Sequence, residues 1–233
     1  MPAPGPIHNV PLHHVLWRRS CRIIPTRYPE KNLYQHVADP ADLPAIHRIE
    51  RLTNLRVRLE SGEAPPLRSG DHLPKGRWAY NVTTAFSHLS SSRFGDGAYP
   101  VYYAARALAT AIRETCFHRE QFMAATKQKA MILPMRVLVA QVRGRFHDLR
   151  KKKRAFHAEY SPTSYQASQR LGRRLWQENS SGVVYDSVRD SRGECIAVFS
   201  PQTIRYCRQE RCLYYEWDGT SISRVYEIRE FAR

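Results

Sequence analysis

The sequence predicts an α+β fold, a compact single domain in which mixed sheets are flanked by helices. Strand-like and helix-like segments follow one another without the regular β-α-β alternation that a doubly wound parallel sheet requires. With 233 residues, of which 42% are hydrophobic, the chain is long and apolar enough to bury one sizeable core. A hairpin pattern near the C-terminus adds antiparallel pairing to the sheet.

At the N-terminus, residues 1–16 are predicted to form a flexible leader, because four prolines interrupt any regular period. The domain is then expected over residues 17–233, with order beginning near Trp17. Within it, residues 32–59 have the pattern of an amphipathic helix, since apolar side chains recur at steps of three. Residues 61–76 hold three prolines and three glycines, which indicates a loop. The apolar helical positions are Leu43, Ile46, Ile49 and Leu52.

The middle of the chain alternates strands and helices. Residues 100–103 form a short β-prone run, and residues 104–122 are good helix formers throughout. Residues 131–142 cluster Ile, Leu, Val and Met as a buried strand does. Residues 165–178 place apolar side chains on one helical face and therefore predict a core helix.

The C-terminal part is predicted to be mostly strand. Residues 182–185 and 195–199 are short apolar runs that read as two strands. Residues 213–217 and 222–228 flank an Asp-Gly turn, which is the signature of a terminal hairpin.

The charge balance favours an anionic partner. Thirty-seven Lys and Arg residues against 21 Asp and Glu residues give a net charge of +16. No apolar run approaches the 18 residues of a membrane span, and residues 1–15 lack a cation-led apolar core. The sequence therefore predicts a soluble cytoplasmic protein.

Several familiar sites have no support in the sequence. Five scattered cysteines argue for reduced thiols rather than a disulfide framework. Cys207 and Cys212 lack a second Cys or His pair at zinc-site spacing, so no metal is expected. The glycine-rich nucleotide loops, the hydrolase elbow, the His-Glu-x-x-His motif and the common nucleic-acid-binding signatures are missing.

The most informative segment spans residues 92–114. It reads SRFGDG at 92–97, PVYYAA at 100–105 and TAIRE at 110–114. These pieces resemble the RES-domain family, whose pattern is an Arg-aromatic-Gly turn, a strand ending in Tyr and a helix carrying Ala-x-x-Glu. Further matching pieces are RIIP at 22–25, LTNLR at 52–56, GVVYDSVR at 182–189, GEC at 193–195 and FSP at 199–201. The resemblance covers nearly the whole chain from residue 22 to residue 226.

The resemblance implies a toxin of a toxin–antitoxin pair, with a fold similar to that of ADP-ribosyltransferases. Such a toxin takes NAD as its substrate, uses no metal, and cleaves the nicotinamide–ribose bond as a glycohydrolase or phosphorylase. Some relatives transfer ADP-ribose to a protein instead. The implied partner is an Xre-type antitoxin protein, in a homodimer or a toxin–antitoxin hetero-oligomer, with DNA bound only through the antitoxin.

The resemblance also assigns the site residues. The family is named after an Arg, a Glu and a Ser, and the matches are Arg22, Glu114 and Ser187. Cleavage builds positive charge on the ribose, which the carboxylate of Glu114 suits. Arg22 and Arg93 suit the diphosphate, because a guanidinium binds two oxygens at once. Tyr103 suits the nicotinamide face, and Ser187 suits a hydrogen bond to the ribose or amide.

Purely structural interpretations of these residues stay open. Glu114 lies four residues before His118 and fits an ordinary surface pair on a helix. Tyr103 fits a core aromatic equally well. For the first family arginine, Arg18 after Trp17 offers a rival register.

Two other questions of function remain open at the level of sequence. The acceptor of the ribose, whether water, phosphate or a protein side chain, is not fixed by any residue. A basic nucleic-acid-binding protein that uses the RKKKR run at 150–154 is the main alternative, and it predicts steep salt dependence of binding. A basic ribonuclease-like toxin would need a pair of acid–base residues that the sequence does not identify.

Overall fold

The computed structural model describes residues 10–26, 67–76, 78–87 and 89–229. Seven strands and three α-helices lie within this part of the chain. The strands are β1 (Leu12–Pro25), β2 (Tyr102–Ala105), β3 (Met131–Asp148), β4 (Gly182–Asp186), β5 (Glu194–Val198), β6 (Ile204–Trp217) and β7 (Ile222–Ile228). The helices are α1 (Ala79–Phe86), α2 (Leu108–Ala125) and α3 (Gln166–Gln177). The helix predicted over residues 32–59 lies outside the described residues.

The strands form one mixed sheet in the order β1-β2-β5-β4-β3-β6-β7. Strands β3 and β4 pair in parallel, and the other pairings are antiparallel. Strand β1 pairs with β3 as well as with β2, so β1, β2, β5, β4 and β3 form a closed ring of pairings. The α+β prediction is confirmed, with one mixed sheet in place of several.

The sheet is apolar on both faces, and this places its helices. In β4, Val183 and Tyr185 belong to one buried cluster, and Val184 between them belongs to the other, as strand alternation requires. The first cluster receives apolar side chains of α2 and α3, and the second receives those of α1. The core therefore lies in two layers on either side of the strands.

The prediction of a flexible leader over residues 1–16 is wrong for its last residues, because strand β1 begins within it. The strand begins at Leu12, and residues 12–17 pair in continuous register with residues 142–147 of β3. Val15 and Trp17 are buried, whereas Leu16 between them is exposed. Alternate burial on a paired strand outweighs the disordering effect of Pro11, whose carbonyl accepts a hydrogen bond from the Asp148 amide.

Most of the other predicted elements are confirmed, with shifted ends. Strand β2 ends at Ala105 and α2 starts at Leu108, because residues 102–105 all pair with β5 before the chain turns. The hairpin of β6 and β7 and the helix α3 lie where the pattern put them, although β6 starts nine residues earlier, at Ile204. In the described part of the predicted loop, residues 67–76 form neither helix nor strand.

Candidate active site

The candidate site is built around a hydrogen bond between Glu114 on α2 and Ser187 directly after β4. The Ser187 hydroxyl donates to Glu114 Oε1 over 2.5 Å. Ser187 Oγ also accepts hydrogen bonds from the backbone amides of Arg189, at 3.1 Å, and Asp190, at 2.9 Å. Ser187 is fully buried and Glu114 is partly buried. The serine therefore fixes one oxygen of the carboxylate in position.

The loop of residues 187–193 is anchored to α2 by Asp190. Its two carboxylate oxygens accept hydrogen bonds of 2.7 Å from the Thr110 hydroxyl and from the Arg113 guanidinium. The hydrogen bond from Thr110 and the charge of Arg113 hold the pKa of Asp190 below its usual range, against the effect of burial. Gly193 allows this approach, since a Cβ there would lie 2.4 Å from Thr110 Cγ2. Helix and loop thus form one unit that carries the Glu114–Ser187 pair.

The turn that carries Arg93 is held by Tyr103 of β2. The Tyr103 hydroxyl accepts from the Phe94 amide at 2.8 Å and lies 2.9 Å from the Ser92 hydroxyl. Burial raises the pKa of Tyr103 to about 12. The tyrosine thereby fixes the Arg93 turn, a contact that the sequence did not reveal.

Arg93 is nearly buried, with 8% of its surface exposed. Its Nη1 donates to the carbonyl oxygens of Glu159 and Ser161, each at 3.0 Å, and its guanidinium lies 4.6 Å from the centre of the Tyr165 ring. Nε and Nη2 donate to none of the described residues. One edge of the guanidinium is thus held by carbonyl oxygens, and the other edge forms no hydrogen bond within the described residues.

The charge of Glu114 acts on buried groups around it. Cys195 Sγ lies 3.8 Å from Glu114 Oε1, and burial, helped by that carboxylate, raises the pKa of Cys195 well above its usual range. Burial also raises the pKa of Tyr185, and Cys195 and Glu114 add to the effect. Both groups are therefore neutral near pH 7, and Glu114 supplies the negative charge of this cluster.

His118 and Arg189 lie at the rim of the same site. Desolvation by the surrounding protein lowers the pKa of His118, and nearby Arg189 and Arg93 lower it further, while Glu114 opposes them. The His118 side chain is nonetheless exposed, so it is a neutral group that solvent reaches. Arg189 stacks on the Phe117 ring at 3.3 Å and adds a cation to the rim.

Arg22 is placed differently from the other predicted site residues. It donates to the Tyr103 carbonyl oxygen at 3.0 Å, and its guanidinium lies 4.9 Å from the centre of the Tyr102 ring. Tyr102 belongs to the cluster on the other face of the sheet, and burial lowers the pKa of Arg22 there. Arg18, the rival, is exposed where β1 bulges. The structure thus brings Glu114 and Ser187 together and leaves Arg22 and Arg18 outside their contacts.

Some residues of the basic run at 150–154 are bound by other parts of the protein. Arg150 forms ion pairs of 2.7 Å with Asp148 and with Glu194. Lys153 Nζ donates to the Ser187 carbonyl oxygen at 3.2 Å and so touches the site. Sequence reasoning missed Lys153 and Asp190, because no local pattern links them to residues that are close only in the fold.

Within the described residues no group of three His, Cys, Asp or Glu side chains is placed to hold a metal ion. All five cysteines are free. No helix in that part of the chain is both long and apolar enough to cross a membrane.

The family follows from the sequence match. The RES domain profile matches residues 57–218, which is more than half of the chain and includes Arg93, Glu114 and Ser187. The chain belongs to the RES domain family. A curated protein of Sinorhizobium fredii, described as uncharacterized protein y4oC, is 30% identical over 208 residues, covering 88% of this chain and 85% of that protein. The RES domain is also similar to a chain in the crystal structure of the M. tuberculosis MbcT-MbcA toxin-antitoxin complex, at a TM-score of 0.39 and 13% identity, covering 55% of this chain and 72% of that one.

Proposed function

We propose that this RES-domain protein is a toxin that degrades NAD by cleaving its nicotinamide–ribose bond. The observation that carries the proposal is the Glu114 carboxylate, which Ser187 holds through a 2.5 Å hydrogen bond inside a cluster whose buried neighbours are neutral. A fixed negative charge in a partly desolvated site stabilises a developing cation more than it stabilises the neutral ribose.

The reaction then proceeds at the ribose carbon. The bond between C1′ and the nicotinamide nitrogen breaks, and its electron pair leaves with the ring, which becomes neutral nicotinamide. Positive charge develops on the ribose, and the negative charge of Glu114 stabilises it. An acceptor donates a lone pair to C1′ and gives up its proton to solvent. With water this is hydrolysis, with inorganic phosphate phosphorolysis, and with a protein side chain ADP-ribosyl transfer.

The cations of the site suit the rest of the substrate. Arg93 has one edge of its guanidinium free of described partners, and that edge matches the diphosphate oxygens. Arg189 adds charge at the rim beside Phe117, whose ring face is covered by the guanidinium. Tyr103 is assigned to positioning the Arg93 turn, because its hydroxyl is engaged by Ser92 and Phe94.

The proposed activity also implies an antitoxin partner and a cytoplasmic location. A toxin that consumes NAD must be neutralised in the cytoplasm that makes it, and the expected partner is an Xre-type antitoxin. The net charge of +16 suits an acidic partner surface.

The first test measures nicotinamide release from NAD by the purified chain, with and without added phosphate. Glu114→Gln keeps the size of the side chain and removes its charge, so we expect release to fall at least 100-fold, on the order of an electrostatic contribution of about 3 kcal/mol. Glu178→Gln removes an exposed carboxylate at the end of α3 and serves as the matched control.

The outcomes separate the possibilities. Loss of release in Glu114→Gln alone, with an unchanged circular dichroism spectrum, supports the proposal, and dependence on phosphate identifies the acceptor. If folded, antitoxin-free protein releases no nicotinamide with water, phosphate or candidate acceptor proteins, the proposed chemistry is wrong.

A further inference from the structure

A pocket lies beside the first residues of β6, and neither Glu114 nor Ser187 lines it. Its volume is about 610 Å³, and its walls come from residues 72–75, Trp78, Gln202 and residues 204–206. Two aromatic rings, those of Trp78 and Tyr206, stand 6.1 Å apart at an angle of 44°. The other polar and charged lining residues are His72, Lys75, Gln202 and Arg205. This combination of rings and cations is unrelated to the Glu114–Ser187 pair.

Tyr206 is held in an unusual position. It is 64% exposed, although it is a large aromatic residue in a strand. Its φ of 55° lies in the left-handed region, which costs energy for a bulky side chain. The register between β3 and β6 shifts here, since Val139 pairs with Arg208 and Gln141 with Arg205. The resulting bulge turns the ring of Tyr206 away from the strand pairing and towards Trp78.

A row of exposed arginines adjoins the pocket through Arg205, which lines it. The row lies on the face of the sheet opposite to Trp78, because Val142 and Ile204, which alternate with it, belong to the cluster against which Trp78 packs. We call Arg18, Arg143, Arg145 and Arg205 the arginine face. Arg205 stands opposite Gln141, and strand alternation places Arg143 and Arg145 on the same side as Gln141. Arg18 lies in the β1 bulge that also faces residue 141.

The arginine face has no acidic counterpart within the described part of the chain. All four side chains are exposed, and none of them forms an ion pair there. The acidic residue on the neighbouring stretch of β6, Glu210, is already paired with Arg19 and Arg211. No described residue neutralises these four charges, and they match the charge of an external polyanion.

We propose that the pocket and the arginine face together bind single-stranded nucleic acid. Proteins of this kind combine a cationic track for phosphates with aromatic rings on which bases stack. Here the Trp78–Tyr206 pair supplies the stacking platform for one unpaired base. The nucleic-acid strand then passes Arg205 at the start of β6 to reach the rest of the arginine face, which supplies planar forks for the phosphates that follow. An acidic protein would use the arginines but has no need of an exposed aromatic pair beside them. A duplex keeps its bases stacked and leaves the pocket empty.

The first experiment measures the charge contribution. Binding of a fluorescently labelled oligothymidine of about 12 nucleotides to the full chain is followed by anisotropy at several salt concentrations. The double variant Arg143→Gln/Arg145→Gln should lower the slope of log affinity against log salt by about 1.4, which corresponds to two lost phosphate contacts on a single strand. The matched control, Lys129→Gln/Arg170→Gln, removes the same charge from exposed residues elsewhere.

The second experiment measures stacking. Tyr206→Leu leaves the charge unchanged, so the salt slope should stay the same while the affinity falls about 5- to 150-fold. Because Tyr206 is exposed and belongs to neither buried cluster, the variant should remain folded by circular dichroism.

Three results would overturn the proposal: equal salt slopes in the test and control doubles, indifference of the affinity to Tyr206→Leu, or equal competition by poly-glutamate in the wild type and in Tyr206→Leu. The last result would assign the arginine face to an acidic protein. None of these variants touches Glu114 or Ser187, so nicotinamide release is expected to be unchanged, and the two proposals succeed or fail separately.

Discussion

At the scale of single residues, the hydroxyl of Ser187 has no hydrogen-bonding capacity left for a substrate. It donates its one hydrogen to Glu114 and accepts from two backbone amides, which uses both lone pairs. From sequence, the same serine suits a direct contact with the ribose. Its geometry instead favours a positioning role, in which it acts on the substrate through Glu114.

This role predicts the kinetics of Ser187→Ala. Loss of a hydrogen bond to a charged group costs about 1.5 to 3 kcal/mol, so kcat for nicotinamide release should fall about 10- to 150-fold while KM for NAD stays nearly constant. In the double variant with Glu114→Gln, the second substitution should add little, because both remove one interacting unit. Additive losses, or an effect mainly on KM, would contradict the positioning role.

At the scale of elements, the junction of α2 with the loop after β4 explains how the site holds together. Thr110, Arg113 and Glu114 are spaced so that they share one helical face, and that spacing is visible in the sequence. Their partners Ser187 and Asp190 lie more than 70 residues away. The helix face that carries Glu114 could thus be predicted, whereas its anchoring to Asp190 required the fold.

The anchoring predicts how stability depends on pH. The folded pKa of Asp190 is lowered, so its stabilising contribution is present above the ordinary aspartate pKa of about 3.9 and is lost as the pH falls through the lowered value. Asp190→Asn should cost about 1 kcal/mol of unfolding free energy at pH 7, and this difference should shrink below about pH 4. Thermal melts of both proteins from pH 7 to pH 3 measure it. A difference that stays constant with pH would contradict the assignment.

The success of prediction also differs between elements. The buried strand at 131–142, the helix at 165–178 and the terminal hairpin were predictable, because continuous burial, helical periodicity and an Asp-Gly turn are all local signals. Strand β1 was not predicted, since Pro11 and the bulge after Trp17 break its alternation, and its partner β3 is more than 110 residues away.

At the scale of the whole molecule, the ring of five strands makes stability depend on β1. Val15 and Leu16 are adjacent in this strand and differ in environment, with 3% and 49% of their surfaces exposed. Val15 packs in the cluster that contains the buried rings of Tyr102 and Phe146. A polar group at position 15 would therefore face the core, and one at position 16 would face solvent.

We expect Val15→Asp to destabilise the protein strongly and Leu16→Asp to leave it nearly unchanged. A buried unpaired charge costs about 3 kcal/mol or more, which for a chain of this size lowers the melting temperature by roughly 6 to 12 °C. The exposed control should change the unfolding free energy by less than about 0.5 kcal/mol. Differential scanning calorimetry distinguishes the two, and equal effects would mean that β1 is not part of the cooperative core.

The ring of strands also sets an order of events during synthesis. Strand β1 leaves the ribosome first, but its partners β2 and β3 follow about 80 and 110 residues later, and Ser187 comes later still. A nascent chain that ends before Val198 cannot close the ring, because β5 runs to that residue, and one that ends before Ser187 cannot fix Glu114 in position. Long-range pairing of this kind is slow to form. Under the proposed function, NAD cleavage would thus begin only after β5 has been made, which leaves time for the proposed antitoxin to bind.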